Sequence, residues 1–443
     1  MPRRLSVRRR FKTLSARLHA IGNVLTVCRF QAVLALDRGV KTLAFALGGV
    51  GIRLPRRLLV RLACHGLAAW LMPASLALAA RGRTVVLVSG TNGKTTTTAL
   101  LTRALGGTVA TNAGNHNFYC GLLDALLRSN APMAVLEVDE LWLPEVLRWL
   151  VPELLVILNL HEDAWLRTPD PQYVLDRWKT LNLGAGTALL AWADDPALVS
   201  LLSNRPVQWL TQQENDAKGQ TTLQACPACG EILRRSGWHW SCRCDLRHPV
   251  HRLGPQATWQ LSPCGTTLHP PTGRRPEVAV NPGLSGRINR RNAAFALAGA
   301  MLLGRDPEPV QHQLQTLAQL PLRDQVYRLA GRDVRLLLGK NPSAWIANLD
   351  RLGTGGPVML LQQQSTATLD LSWLYDIPVE TLAGRQVGIC GAHALDLAVW
   401  LTYAGVDFIA AADPRALVGQ MAPGELLCVS DLLGAYLIEA LAN

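Results

Sequence analysis

The chain has 443 residues, carries a formal net charge of +12 from 44 Lys and Arg against 32 Asp and Glu, and is 49% hydrophobic. At about 150 residues per domain this allows about three domains with sizeable cores, and the lack of any low-complexity tract excludes bulk disorder. Six of the ten cysteines are scattered (Cys28, Cys64, Cys120, Cys264, Cys390, Cys428), mostly in apolar surroundings, so reduced core thiols are expected instead of a disulfide framework.

Positive charge is concentrated at the start, in Arg3, Arg4, Arg8, Arg9, Arg10, Lys12 and Arg17. Residues 1–44 read as a basic arm that can meet anionic lipid or nucleic acid, or simply stay solvated. The arm lacks the apolar core and cleavage site of a signal peptide. The apolar segment Leu62–Ala80 contains His65 and Pro73 and reads as one or two buried or interfacial helices, not a membrane span. A cytoplasmic protein is expected, with peripheral contact at the inner face of the membrane as the further expectation.

From Thr84 the pattern becomes strand, loop, helix. Val85–Val88, Val109–Ala110, Ala134–Glu137, Leu154–Asn159 and Ala188–Ala191 are short β-rich runs separated by helical stretches. Such alternation predicts an α/β fold with a mainly parallel sheet covered on both faces, and ligands at the carboxyl ends of the strands. The first run leads into Ser89-Gly90-Thr91-Asn92-Gly93-Lys94-Thr95-Thr96-Thr97. A loop of this kind wraps backbone N–H groups around a polyphosphate: Gly90 and Gly93 allow close approach, Lys94 reaches the β- and γ-phosphates, and the Thr95 hydroxyl can ligate Mg²⁺. Val88 stands where the usual G-x4-G-K spacing has its first glycine.

Other strand ends carry chemistry too. Glu137-Val138-Asp139-Glu140 follows an apolar run, and Glu137 is best placed to hold Mg²⁺ against phosphates, with Asp139 and Glu140 also readable as a solvated turn. Thr111–Asn117 is a glycine and amide loop suited to substrate or Mg²⁺. His161-Glu162-Asp163 offers groups for a second metal or substrate, or a structural histidine. Asp194-Asp195 can bind ribose or cap a helix. Asn204 to Gln220 reads as a polar connector into Cys226-Pro-Ala-Cys229 and Cys242-Arg-Cys244, two pairs suited to a tetrahedral, structural Zn²⁺ ribbon. The second pair is C-x-C, not C-x2-C, so His239, His248 or His251 are candidates to replace one sulfur. His269 to Gly286 reads as a second connector, Asn289 to Leu303 as a helix, and a last α/β unit follows Pro307–Pro309.

The order of these motifs resembles the Mur ligase superfamily. The loop Ser89–Thr97, the loop at Gly114, Glu137–Glu140, Asn159-Leu160, Asp194-Asp195-Pro196 and Gly286-Arg-Ile-Asn289-Arg-Arg-Asn292 follow one another as in its central domain. The inserted four-cysteine ribbon, Leu338-Gly-Lys340-Asn341-Pro342, Asp370-Leu-Ser-Trp373-Leu-Tyr-Asp376 and Gly391-Ala-His393…Tyr403-Ala-Gly-Val406 resemble one branch, the MurT-like subunits of lipid II isoglutaminyl synthases. The resemblance implies a Mur-type ATP-binding unit over 45–305, with the ribbon at about 221–252, and a smaller C-terminal α/β domain over 306–443. It further implies ATP, Mg²⁺ and Zn²⁺ as cofactors. Gly90, Thr91, Asn92, Gly93, Lys94, Thr95, Thr96, Asn292 and Asp195 would contact nucleotide. Thr95 and Glu137 would hold Mg²⁺, with Lys94, Glu137 and His161 acting in catalysis, and Cys226, Cys229, Cys242 and Cys244 would hold zinc. The implied reaction phosphorylates the D-glutamate α-carboxylate of a lipid-linked peptidoglycan precursor, and ammonia from a separate GatD-type glutaminase amidates it. The C-terminal domain lends that partner an aspartate, here Asp370 or Asp376. Gln362–Thr368 departs from the branch's N-D-N-x-A-D-G, as do Cys390 and His393 from its serine and arginine. These changes mark a distant member with an altered partner interface, an altered acceptor or lost coupling. Two other readings are a stand-alone Mur-type amide ligase and, from a different class, a nucleic-acid-associated ATPase using the arm and ribbon.

Overall fold

The computed structural model describes residues 75–112, 117–161, 171–212, 225–236, 239–271, 276–349, 351–352, 356–363 and 371–442. The basic arm, most of Leu62–Ala80, residues 113–116 of the amide loop, Glu162, Asp163 and Asp370 lie outside the described residues. Within them, no helix is long and apolar enough to cross a membrane.

The first sheet is nine-stranded. In chain order its strands are β1 (Thr84–Ser89), β2 (Val109–Thr111), β3 (Met133–Glu137), β4 (Leu154–Ile157), β5 (Ala188–Trp192) and β6 (Val207–Gln212). After the ribbon hairpin β7 (Arg234–Ser236) and β8 (His239–Ser241) come β9 (Trp259–Leu261), β10 (Thr267–His269) and β11 (Val278–Ala279). The spatial order is β11-β10-β9-β6-β5-β4-β1-β3-β2. All pairings from β2 to β9 are parallel, and β10 and β11 add an antiparallel edge. β1 lies between β3 and β4, with Val86↔Val135 and Val86↔Leu154 in register. Burial on both faces explains its unbroken apolar run, as a parallel sheet requires: Val86, Leu87 and Val88 are fully buried. The helix Arg287–Leu302 packs on the helix Lys94–Leu105, and its buried small residues Ala293, Ala294, Ala296, Ala298 and Gly299 permit that close approach.

β6 lies within the stretch expected to be a connector. Its polar residues are buried with partners: the Thr211 hydroxyl and Gln212 N–H both donate to Asp194, and Gln212 Nε2 donates to the Pro263 carbonyl at 3.1 Å. A strand that satisfies its polar side chains internally hides its period-2 signal.

The second sheet holds β12 (Gln325–Leu329), β13 (Arg332–Leu338), β14 (Val358–Leu361), β15 (Val387–Cys390), β16 (Phe408–Ala410) and β17 (Leu426–Ser430), ordered β12-β13-β17-β14-β15-β16. It is parallel except for the β12–β13 hairpin. Apolar clusters lie on its two sides, one built around Trp345, Trp373 and Trp400, the other around Met359, Leu417 and Ile438. Cys390 and Cys428 are buried there as expected, whereas Cys264 in the first sheet's β9–β10 turn is exposed.

Candidate active site

β1 delivers its last residue, Ser89, to the carboxyl edge of the first sheet. The chain then turns through two glycines that no other residue could replace. Gly90 has φ +133°, and a Cβ there would lie 2.8 Å from the Asn159 carbonyl oxygen. Gly93 has φ +86°, and its Cβ would lie 2.6 Å from Asn292 Oδ1. The left-handed Gly93 starts the helix Lys94–Leu105 without a side-chain cap, which leaves backbone donors at the helix N-terminus for a ligand. Asn159, at the end of β4, braces the loop: Thr91 N donates to its carbonyl at 2.9 Å, Asn92 N donates to its Oδ1 at 2.9 Å, and its Nδ2 donates to the Asn92 carbonyl at 3.0 Å.

Lys94 is buried and turned inward. Its ammonium donates to the carbonyl of Gly90, to that of Thr91 at 3.2 Å and to Glu140 Oε2 at 2.8 Å. Burial by itself pushes the ammonium pKa down, but Glu140, Asp139 and Glu137 outweigh it and hold the pKa above that of a free lysine. Glu140 is therefore part of the site and not a solvated acid. Thr95 donates from its hydroxyl to Glu137 Oε2 at 2.6 Å. Glu137 is fixed through its backbone by Asn112, which accepts from Glu137 N and donates to Glu137 O, both at 2.8 Å. Asn117 Nδ2 reaches Glu137 Oε1 at 3.3 Å. A hydroxyl and a carboxylate one hydrogen bond apart at the mouth of a phosphate loop form a donor set that fits Mg²⁺.

These groups line a cleft of about 330 Å³ between the two sheets. Thr91 to Thr96, Glu137, Asn159, His161 and Asn292 come from the first sheet's side, and Lys340, Ser343 and Asn348 from the second. Arg323 enters from the segment joining the two units; burial lowers its pKa and Glu137 acts against that. Arg291 also lines the cleft, stacked over the Trp192 ring with 4.5 Å from the guanidinium carbon to the ring centre. His161 is held by reciprocal contacts with Thr91, Thr91 Oγ1 donating to the His161 carbonyl at 3.1 Å and accepting from His161 N at 3.0 Å. Burial and then Arg291 lower its imidazole pKa to about 4, so it is neutral at physiological pH.

Asp195 does not line the cleft. Its carboxylate caps the helix Pro196–Leu202 through Ala197 N at 2.9 Å and ties down Leu160 N at 2.8 Å; burial raises its pKa to about 6. Asp376 is exposed in the second unit, in the turn Ser372–Asp376. Sequence reasoning left Glu140 open between a site acid and a solvated turn, and did not name Arg291 or Arg323 as site residues. The double arginine before Asn292 was a usable signal for Arg291, whereas Arg323 sits in no local motif.

The four ribbon cysteines converge. Their sulfurs all lie within 4.8 Å of one another, with Cys226 to Cys244 at 3.6 Å and Cys229 to Cys242 at 3.4 Å. Ligands about 2.3 Å from a tetrahedral Zn²⁺ stand about 3.8 Å apart, so the set fits that ion. No histidine is needed as a replacement. His248 instead bonds Asp194 Oδ1 at 2.8 Å and anchors the insert to the end of β5. The tight C-x-C turn is followed by Asp245 in the left-handed region at φ 68°.

Residues 338–422 match the MurT ligase C-terminal family. The chain is 25% identical over 347 residues to the lipid II isoglutaminyl synthase (glutamine-hydrolyzing) subunit MurT of Staphylococcus aureus, covering 73% of this chain and 78% of that one. Among solved structures it is similar to a pseudomurein peptide ligase type C from Methanothermus fervidus, with a TM-score of 0.63 at 20% identity over 81% of this chain and 78% of that one. It is also similar to the MurF ligase from Thermotoga maritima in complex with ADP, with a TM-score of 0.56 at 16% identity over 83% and 80%. The cleft between two mainly parallel sheets and these likenesses show the fold of Mur-type ligases and support an ATP-dependent ligase of that type. Within that fold the chain is similar to MurT subunits, by its C-terminal match and its relatives.

Proposed function

We propose that this chain is the synthetase subunit of a glutamine-dependent amidotransferase acting on a lipid-linked peptidoglycan precursor. It would activate the D-glutamate α-carboxylate as an acyl phosphate, which ammonia from a GatD-type glutaminase partner then converts to the amide. The observation that carries this reading is that the unit matching the MurT C-terminal family forms the second wall of the phosphate-loop cleft. A carboxylate oxygen is a poor leaving group, so the carboxylate must be activated before nitrogen attacks.

In this reading the N–H groups of Asn92 to Thr96 and the Lys94 ammonium take the phosphates, with Asn292 beside the loop. Thr95 and Glu137 would hold Mg²⁺, which when bound supplies charge neutralisation for the phosphates. Lys94 stabilises charge on the transferring phosphoryl group, from a buried position where electrostatic interactions are strong. Neutral His161 can accept or donate one hydrogen bond to the acceptor. The four cysteines would hold a structural zinc, since four protein ligands leave no open position. Asp370 or Asp376 would orient the partner's Cys–His pair.

Reconstitution tests this. The full chain with Mg-ATP, a lipid II acceptor and either ammonium or glutamine plus a GatD-type glutaminase should yield the amidated acceptor by mass spectrometry. Incorporation of a free amino acid in place of ammonia would overturn the reading in favour of a stand-alone ligase. Asp376→Asn should suppress glutamine use more than ammonium use if Asp376 serves the partner; equal loss with both would assign it to the synthetase half.

A further inference from the structure

Asn92 is held from both sides of the cleft. Its backbone is clamped to Asn159 of the first unit by the two hydrogen bonds described above. Its side chain pairs with Asn341 of the second unit in a closed amide ring: Asn92 Nδ2 donates to Asn341 Oδ1 at 3.3 Å, and Asn341 Nδ2 donates to Asn92 Oδ1 at 3.1 Å. Asn341 is fully buried, and its Oδ1 also accepts from Ala344 N at 2.9 Å. That contact caps the helix Pro342–Leu349, with Pro342 in the favoured first position. Three asparagines therefore form a continuous path from the end of β4, through the phosphate loop, to the first helix after β13.

We propose that Asn92 and Asn341 are a positioning pair that makes the shape of the phosphate loop conditional on the seating of the second α/β unit. This rests on the reading of the loop as the nucleotide site. Gly90 and Gly93 flank Thr91 and Asn92 and leave the loop little stiffness of its own, since glycine has the widest conformational range. Asn159 fixes the backbone on one side, and among the described residues the amide ring fixes the half-buried side chain of Asn92 on the other. When the second unit moves off, both amides exchange that ring for water, and the loop loses its outer brace two residues before Lys94. A loop that is correctly shaped only in the closed arrangement withholds phosphoryl transfer until the acceptor's wall is in place, which limits idle ATP turnover.

The test uses the full-length chain and ADP with Mg²⁺, titrated calorimetrically, alongside steady-state ATP kinetics. Asn341→Ser keeps a side chain that caps the helix but cannot form the reciprocal ring. Asn341→Ser and Asn92→Ala should each weaken ADP binding about 5- to 20-fold, the effect expected for losing one or two hydrogen bonds. The loss should appear in kcat as well as in the KM for ATP. The double variant should be no worse than either single one, because both lose the same ring. Wild-type affinity in Asn341→Ser would reduce Asn341 to a helix cap, and additive losses would show two independent residues; either overturns the pair. If the wild-type chain itself does not bind ADP, the nucleotide reading falls and the pair's role falls with it, a failure distinct from the other two.

Discussion

Two parallel sheets face each other across the cleft, and their carboxyl edges differ in kind. The first ends in charge: Lys94, Glu137 and Glu140 are all buried there and bonded to groups within the site. The second ends largely in neutral amides, with Asn341 on the loop's asparagine and Gln362 buried with neither amide atom partnered among the described residues. Among the described residues two buried acids stand at that edge: Asp431 accepts from the backbone N–H groups of Gln363 and Gly434, and Asp324 pairs with Arg351 at 2.7 Å and Arg335 at 3.3 Å. Strand order and helix cover are alike in type, so the chemistry is set by the few residues that follow each strand and not by the sheet beneath them.

The sharpest way to break the comparison is to neutralise the first edge. Lys94→Ala should lower ATP-dependent turnover by on the order of 10²–10³-fold or more, read as ATP consumed per chain. Because it strands Glu140, the Lys94→Met/Glu140→Gln double variant is the control: it should fold better than the single variant and stay inactive. Unimpaired turnover in either would remove the phosphate loop from the mechanism. Next in size, Glu140→Gln leaves a buried ammonium without its counter-ion and should cost about 3–5 kcal/mol of stability in the empty protein. Nucleotide should recover more stability in that variant than in wild type, since phosphate no longer competes with a carboxylate. Thermal unfolding with and without ADP and Mg²⁺ reads both effects.

The ribbon should prove separable from both edges. Metal analysis should find one zinc per chain, and Cys226→Ser should abolish that zinc and lower the thermal midpoint by roughly 5–10 °C. Retained metal in that variant would exclude the four-sulfur site.

The smallest effect concerns pH. His161 has a pKa depressed to about 4, so the unfolded chain binds more protons than the folded one between about pH 6.5 and 4. Its contribution to stability is full above the unfolded value and is lost as pH falls through that window. Asp195 acts the opposite way: raised to about 6 by burial, its contribution is full below the ordinary value of 3.8 and fades as pH rises through 6. His161→Asn should flatten the acid loss of stability, visible as thermal midpoints measured from pH 4 to 7. An unchanged slope would show that His161 titrates normally.

The parts of the molecule legible beforehand were those whose signal is local. The run from Val85 to Thr97 carries strand, glycine turn, lysine and hydroxyls within thirteen consecutive positions, and the first sheet's mainly parallel character follows from the alternation around it. The cysteine pairs were likewise readable, although the C-x-C spacing suggested a histidine that the four gathered sulfurs make unnecessary. What escaped was relational. Glu140 reads either as a site acid or as a solvated one, and the Lys94 ammonium 2.8 Å away decides for the site. Arg323 reaches the cleft from outside the first sheet, and the Leu338–Pro342 motif gave no sign that Asn341 would bond Asn92, so no pattern near the phosphate loop announces either role. β6 was hidden because its polar side chains are satisfied by Asp194 and the turn after β9, and Asp195 stayed open between ribose ligand and helix cap because a binding acid and a capping acid look the same in sequence, whereas its bond to Ala197 N makes it a cap.

The ion pair between Lys94 and Glu140 makes ligand entry a substitution. All three lysine protons already have oxygen partners within the protein, so on the proposed reading an arriving anion would have to displace a carbonyl or the Glu140 carboxylate before it gained from this lysine. Stray sulfate or a lone phosphate is poorly equipped for that contest, whereas a metal-bearing polyphosphate offers several contacts at once. When the ligand departs, the carboxylate returns and the pocket is again internally satisfied, so the same residue that screens what enters also eases what leaves.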